Sequence, residues 1–271
     1  MRTSSKNSKK CSMPERPFLR NALTILLALA PIATQTTPAW AVAITADDVQ
    51  GHVILNALKS DLSKRQQLGF RAVLKNWETR YGVRAVGPLL EIANDPHHED
   101  PDRYLAIMGA AKLGGSEVAT GLLNLLKDRS WMIRAGTLRA LTALNHPKTS
   151  AAVLPLLRDP ALIVRSEAVD AVGRLKPVGA VDALLATLEQ SENYHGGKAQ
   201  WVPTKALSAL VALNAKDVAP RLRPLLLHSQ DPALQEQTVS ALESLTGKKL
   251  KAGAPLLAKV EQWKIELTSA K

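Results

Sequence analysis

Four side chains able to ligate a metal stand together in His97-His98-Glu99-Asp100, and His195 adds a further imidazole much later in the chain. Adjacent residues rarely all reach one ion, because working metal sites draw ligands from separated positions held by the fold. The cluster therefore reads as a polar connecting loop, and no metal or other cofactor is implied. No Gly-rich phosphate loop, G-x-S-x-G elbow or HExxH pair is present, and no catalytic residue is assigned. The one cysteine, Cys11, lies near the start of the chain. The chemistry on offer is recognition rather than bond making.

Two groups of residues could carry it. Arg103, Arg134 and Arg165 recur 31 residues apart, so on successive copies of one structural unit they would form a row. Such a row could hold acidic side chains of a partner through forked hydrogen bonds. With Asp128 and Asp159 at the preceding turns, where aspartate can cap a helix, it could equally tie one unit to the next. The second group is the stretch Ser191 to Trp201, an insertion carrying Tyr194, His195 and Trp201 around Gly196-Gly197. A lengthened connection bearing adaptable polar and aromatic groups often marks a binding face. Arg103, Arg134, Arg165, Tyr194, His195 and Trp201 are thus the candidate contacts for a protein or peptide partner, an acidic one in particular.

The elements that must position these residues follow from a repeat. Asp128-Arg129-Ser130-Trp131-Met132-Ile133-Arg134 recurs as Asp159-Pro160-Ala161-Leu162-Ile163-Val164-Arg165, and Asp231-Pro232-Ala233-Leu234 opens a later copy. Ala140-Leu141 with Leu144 falls on Ala171-Val172 with Leu175, and Val153-Leu154 with Leu157 falls on Leu184-Leu185 with Leu188. Self-similarity at this period marks stacked supersecondary units. Within each unit the apolar residues, such as Val164, Ala168, Ala171, Val172 and Leu175, keep the three-and-four spacing of a helical face. Short breaks such as Gly114-Gly115, Asn145-His146-Pro147 and Lys176-Pro177-Val178-Gly179 separate two helices per unit. Leu154, Leu157, Val172, Leu175 and Leu185 are expected in the core between them. An aromatic content of 4% suits a thin aliphatic core shared between neighbours.

The pattern Asp-Pro-x-x-x-Val-Arg-x-x-Ala-x-x-Ala-hydrophobic-x-x-Leu, followed by a turn and a Leu-rich helix, resembles the HEAT repeat. It is most similar to the short bacterial form found also in phycobilisome (bilin) lyases. Units 103–127, 128–158 and 159–190 match best; unit 191–230 departs, with Val202-Pro203 where Val-Arg is expected. Leu245-Thr246-Gly247 followed by Trp263 is similar to the C-terminal cap of many exported bacterial HEAT-repeat proteins. The resemblance implies an all-α fold, a right-handed α-solenoid of about five to six HEAT-like helical hairpins over residues 61–271, preceded by a capping helix at 42–60. It says little of function, because such repeats serve scaffolds, adaptors and some enzymes alike. A non-catalytic interaction or scaffold module is the reading preferred; a bilin-lyase-like enzyme or small-ligand-binding protein is the alternative.

Residues 1–41 read as a signal peptide. Arg16 and Arg20 precede the apolar run Ala22 to Ala33, and Pro38-Ala39-Trp40-Ala41 supplies an A-x-A cleavage site. Pro31 and the threonines after it cut the run short of the ~20 residues that a membrane span needs. The expectation is a periplasmic or secreted protein with no membrane span after cleavage. It would have no thiol and so no disulfide. Residues 1–41 hold six Lys/Arg against one Glu, so five of the net charge of +11 lie there and six in the rest. A basic stretch, Lys59, Lys64, Arg65, Arg71, Lys75, Arg80 and Arg84 with Phe70, Trp77 and Tyr81 interleaved, could face a polyanion. It reads better as the solvated side of a capping helix with its rings turned inward, and export argues against nucleic acid.

Overall fold

The computed structural model describes residues 46–250 and 253–269. The expected signal peptide, residues 1–41, lies outside the described residues. The first described helix runs from Ala46 to Ser63, past the expected boundary at residue 60.

Thr45–Lys271 is an all-α solenoid of helical hairpins. The first helices of the hairpins are Asp100–Gly114, Trp131–Leu144, Leu162–Leu175, Trp201–Ala212 and Pro232–Thr246, each packed on the next. Their partners are shorter and partly 3-10 in character: Ala119–Leu122 with Leu123–Lys127, Pro147–Ala152 with Leu154–Arg158, Ala180–Leu188, Lys216–Leu222 with Arg223–His228, and Leu256–Ser269. A further pair, Phe70–Arg80 and Val86–Asn94, precedes them. The second helices tighten where the sequence places proline. Pro155 opens Leu154–Arg158 and Pro220 lies inside Lys216–Leu222, and each removes a backbone donor from the α-helical ladder. Three of the first helices end on left-handed residues: Asn145, Lys176 and Gly247 each cap with a backbone N–H back to the preceding turn.

The core lies between the two layers. Ile133, Leu138, Leu141, Val164, Val172, Leu184, Leu207, Leu210 and Leu242 are buried, and each such side chain contributes about 1.5–3 kcal/mol relative to exposure. Leu157, Val172 and Leu185 are buried as expected, whereas Leu154 and Leu175 are only half-buried. Val153 takes the inward position as the backbone passes into the 3-10 segment, and Leu175 is the last residue of its helix, at the margin of the layer.

At the N-terminal end the interleaved rings divide. Trp77 is fully buried and donates from Nε1 to Asp61 (3.1 Å). Phe70 stays largely exposed against Tyr104, with 5.9 Å between ring centroids. Arg80 lies 5.0 Å above the Tyr81 ring. Among the described residues no helix is long and apolar enough to cross a membrane.

Candidate functional site

Arg103, Arg134 and Arg165 are each the fourth residue of a first helix. From that position a long side chain reaches the turn that opens the following hairpin. Arg103, 1% exposed, donates from Nε to the Ala93 carbonyl (3.0 Å) and from Nη2 to Asp128 Oδ2 (2.5 Å). Arg134 grips both oxygens of Asp159 through Nε and Nη2, at 2.7 Å each, and donates from Nη1 to the Asp128 carbonyl at 2.8 Å. Both aspartates also accept a backbone N–H two residues on, from Ser130 and Ala161, at 2.8 Å. They thereby fix the approach to the helix rather than cap its first turn. Burial alone would raise the Asp128 carboxyl, but the hydrogen bonds from Arg103 and Ser130 outweigh it and hold that group below the usual carboxylate value. The Asp159 hydrogen bond raises the Arg134 guanidinium. The ladder is internal: its forks close on the next repeat.

The insertion continues this joint in altered form. Arg165, 4% exposed, donates from Nε to Asn193 Oδ1 and from Nη2 to the Glu192 carbonyl, both at 2.8 Å. Asn193 is fully buried and anchors its own amide on the Thr187 carbonyl (2.9 Å). Tyr194–His195 and Lys198–Ala199 pair as a two-residue β-hairpin, an exception to the all-helical expectation. Its turn, Gly196-Gly197, has φ of +57° and +76°, which residues with a Cβ adopt only at a cost. Where the register would place another arginine the chain has Pro203. Instead, the Ala199 N–H donates to Asp231 Oδ2 (2.9 Å). The Tyr194 hydroxyl donates to the Leu188 carbonyl (2.6 Å), and burial, then the nearby Asp231 carboxylate, raises its pKa. The hairpin clamps two repeats and leaves His195 and Trp201 in solvent, the latter 58% exposed.

The open side of the first helices carries a different feature. A hollow of about 290 Å³ is lined by Tyr104, Trp131, Met132, Ala135, Gly136 and Ile163 and rimmed by Arg139 and Glu167. Three consecutive first helices contribute to it. The Tyr104 ring lies across Gly136 so closely that a Cβ there would come within 2.5 Å of it. Arg139 donates to the Tyr104 hydroxyl (3.0 Å) and pairs with Glu167. That pair raises the Arg139 guanidinium, mainly through the Glu167 hydrogen bond. Trp131 stands at the margin, 50% exposed. An exposed tryptophan beside an apolar hollow with charged groups only at its rim has the make-up of a contact centre.

A family model described as HEAT repeats matches residues 86–171 and again residues 119–195. These residues are HEAT repeats. No curated protein sequence matches the chain. Among solved structures, the chain is similar to one titled "The structure of the complex of CpcE and CpcF of phycocyanin lyase from Nostoc sp. PCC7120". The identity is 16% and the TM-score 0.35, over 88% of this chain and 100% of the other.

Both the Arg ladder and the hollow fall largely within the HEAT repeats. Of the six candidate contacts, Arg103, Arg134, Arg165 and Tyr194 are engaged inside the chain; His195 and Trp201 face solvent. The structure brings Tyr194 and His195 together on the hairpin but does not join them to the ladder's open side. The histidine–acid cluster does not converge on one point: His97 and His98 both lie against Asp95 (2.8 and 3.7 Å), Glu99 pairs with Arg65 (2.8 Å) and Asp100 lies 3.7 Å from Arg103. Burial raises the Asp102 carboxyl, against the pull of Arg65. Among the described residues no group of three or more His, Cys, Asp or Glu could hold a metal. The hollow was not singled out from sequence, though Gly136 gave a signal. A glycine inside a helix, where the next copy has Glu167, marks a close approach.

Proposed function

We propose that this chain is a non-catalytic interaction module that binds a protein or peptide partner across the open side of its first helices. The observation that carries the reading is the hollow formed by Tyr104, Trp131, Met132 and Ile163 on three consecutive HEAT helices. Its opening to solvent, with an apolar lining and charged groups only at the rim, suits a partner's side chain. The polar groups with the strongest geometry, those of the Arg–Asp ladder, close on the chain itself. They hold the helices in register and leave the aromatic face to make the contacts. We further propose export to the bacterial envelope, on the strength of the basic, apolar and A-x-A series that ends at Ala41.

Affinity capture from envelope extract tests the reading. The protein is compared with a Trp131→Glu variant and a Val178→Glu variant, both at exposed sites (Val178 is 98% exposed on the connection to a second helix). Trp131→Glu should lose partners that Val178→Glu keeps, with helicity equal by circular dichroism. The same partners recovered from both variants would reject the first-helix face. Retention of a small chromophore or metabolite in the hollow, abolished by Trp131→Glu, would favour the ligand-binding alternative.

A further inference from the structure

The hollow continues along one edge of the solenoid. Met132, Ile163 and Trp201 share a register at the start of three successive first helices. Ile163 and Trp201 precede by one turn Glu167 and Lys205, whose pairs with Arg139 and Asp170 bridge neighbouring first helices. All of them therefore lie on one face. First helices pack directly on one another, at about 8–10 Å between axes. The axes of the helices that carry Trp131 and Trp201, two helices apart, are therefore about 16–20 Å apart, a span that about five to six residues of extended chain would cover.

The exposed charge along this edge is mainly basic. Lys127, Arg129, Arg158 and Lys198 are exposed on the turns and hairpin beside the row, and none has an ion pair among the described residues. The carboxylates of the same turns, Asp128 and Asp159, are neutralised by Arg103 and Arg134. Glu189 and Glu192 are the acids left exposed there. At the turn before Leu162–Leu175 a cleft of about 600 Å³ is formed by Arg158, Asp159, Pro160, Arg165, Gln190 and Glu192. With the turn aspartates paired to helix arginines, four exposed cations (Lys127, Arg129, Arg158, Lys198) face two exposed acids (Glu189, Glu192) along this edge, an excess complementary to an acidic ligand.

We propose that this edge binds an extended acidic segment of a partner protein through two apolar side chains about five to six residues apart. One fills the hollow beside Trp131 and the other packs on Trp201. The acidic residues between them face Arg158, and those flanking them face Arg129 and Lys198. The proposal rests on the interaction reading above and names the chemistry of the partner.

The test is selection of a displayed library of random peptides, each about a dozen residues long, on the immobilised protein. Enriched sequences should carry two apolar residues at that spacing amid Asp and Glu. For a selected peptide, Trp131→Ala and Trp201→Ala should each weaken binding by about tenfold or more in fluorescence anisotropy. Arg129→Ser with Arg158→Ser should weaken it and flatten its salt dependence. Winners without acids, winners with one anchor, or affinity unchanged by both tryptophan variants would overturn the proposal. Displacement of the peptide by a single-stranded oligonucleotide at equal affinity would assign the basic edge to phosphate instead. No enrichment, with Trp131→Glu still losing partners in the capture experiment, would remove the acidic-peptide chemistry alone. No enrichment and no loss would remove both readings.

Discussion

Removing one carboxylate from the ladder measures how far it holds the repeats together. In Asp159→Ala the Arg134 guanidinium loses two hydrogen bonds of 2.7 Å and the Ala161 N–H loses its acceptor. Asp159 and Arg134 side chains are 4% and 11% exposed, so water cannot fully replace the lost partner. Breaking a buried pair from one side costs about 3–5 kcal/mol. Arg134 keeps its bonds to the Asp128 and Arg129 carbonyls, which places the expected loss near the lower end, about 3 kcal/mol. For a unit of this size that corresponds to a melting shift of about 6–12 °C. The control is Glu167→Ala, which breaks the Arg139–Glu167 pair, where the arginine is half exposed; surface pairs contribute about 0–1 kcal/mol. Urea and thermal unfolding followed by circular dichroism would compare the two. Equal losses below about 1 kcal/mol in both variants would refute the argument that the ladder is a structural joint.

Leu157→Ala should cost about 2–5 kcal/mol by chemical denaturation, and Leu175→Ala clearly less, because Leu175 is half-buried at a helix end; the reverse order would contradict the assigned register. Gly136→Ala should displace the Tyr104 ring and cost about 1–3 kcal/mol, read as a change in near-ultraviolet circular dichroism together with a lower midpoint. Stability should fall in acid: the Asp128 pKa is depressed in the folded chain, so its contribution is present above the unfolded value of about 3.9 and is lost as pH drops through the folded one. Asp128→Asn should flatten that decline in unfolding midpoints taken between neutral pH and about pH 3.

The hairpins were legible because each repeat builds its core from local spacing: Ala140, Leu141, Ala171 and Val172 fall inward on helices whose period the sequence itself displays. The direction of the arginines was not. Asp128 to Arg134 has the same spacing whether the guanidinium turns to solvent or to the next turn, and only the packing of one helix against its neighbour selects the second. The hollow needs Tyr104, Gly136 and Ile163 from three helices at once, a juxtaposition that no one repeat contains. The clamp was partly readable, since Gly196-Gly197 satisfies a tight hairpin turn. Its strands of two residues each are too short to show alternation, and the substitution of the Ala199 N–H for an arginine is a backbone event with no sequence signature.

Site-specific photo-crosslinking in the native cell tests the central claim most directly. A photoreactive phenylalanine analogue is placed in turn at Trp131, Trp201 and Val178, all exposed. The account predicts one and the same adduct from positions 131 and 201, and none from position 178. Adducts formed only from position 178, or a different adduct from each of 131 and 201, would contradict a single binding face along the first helices.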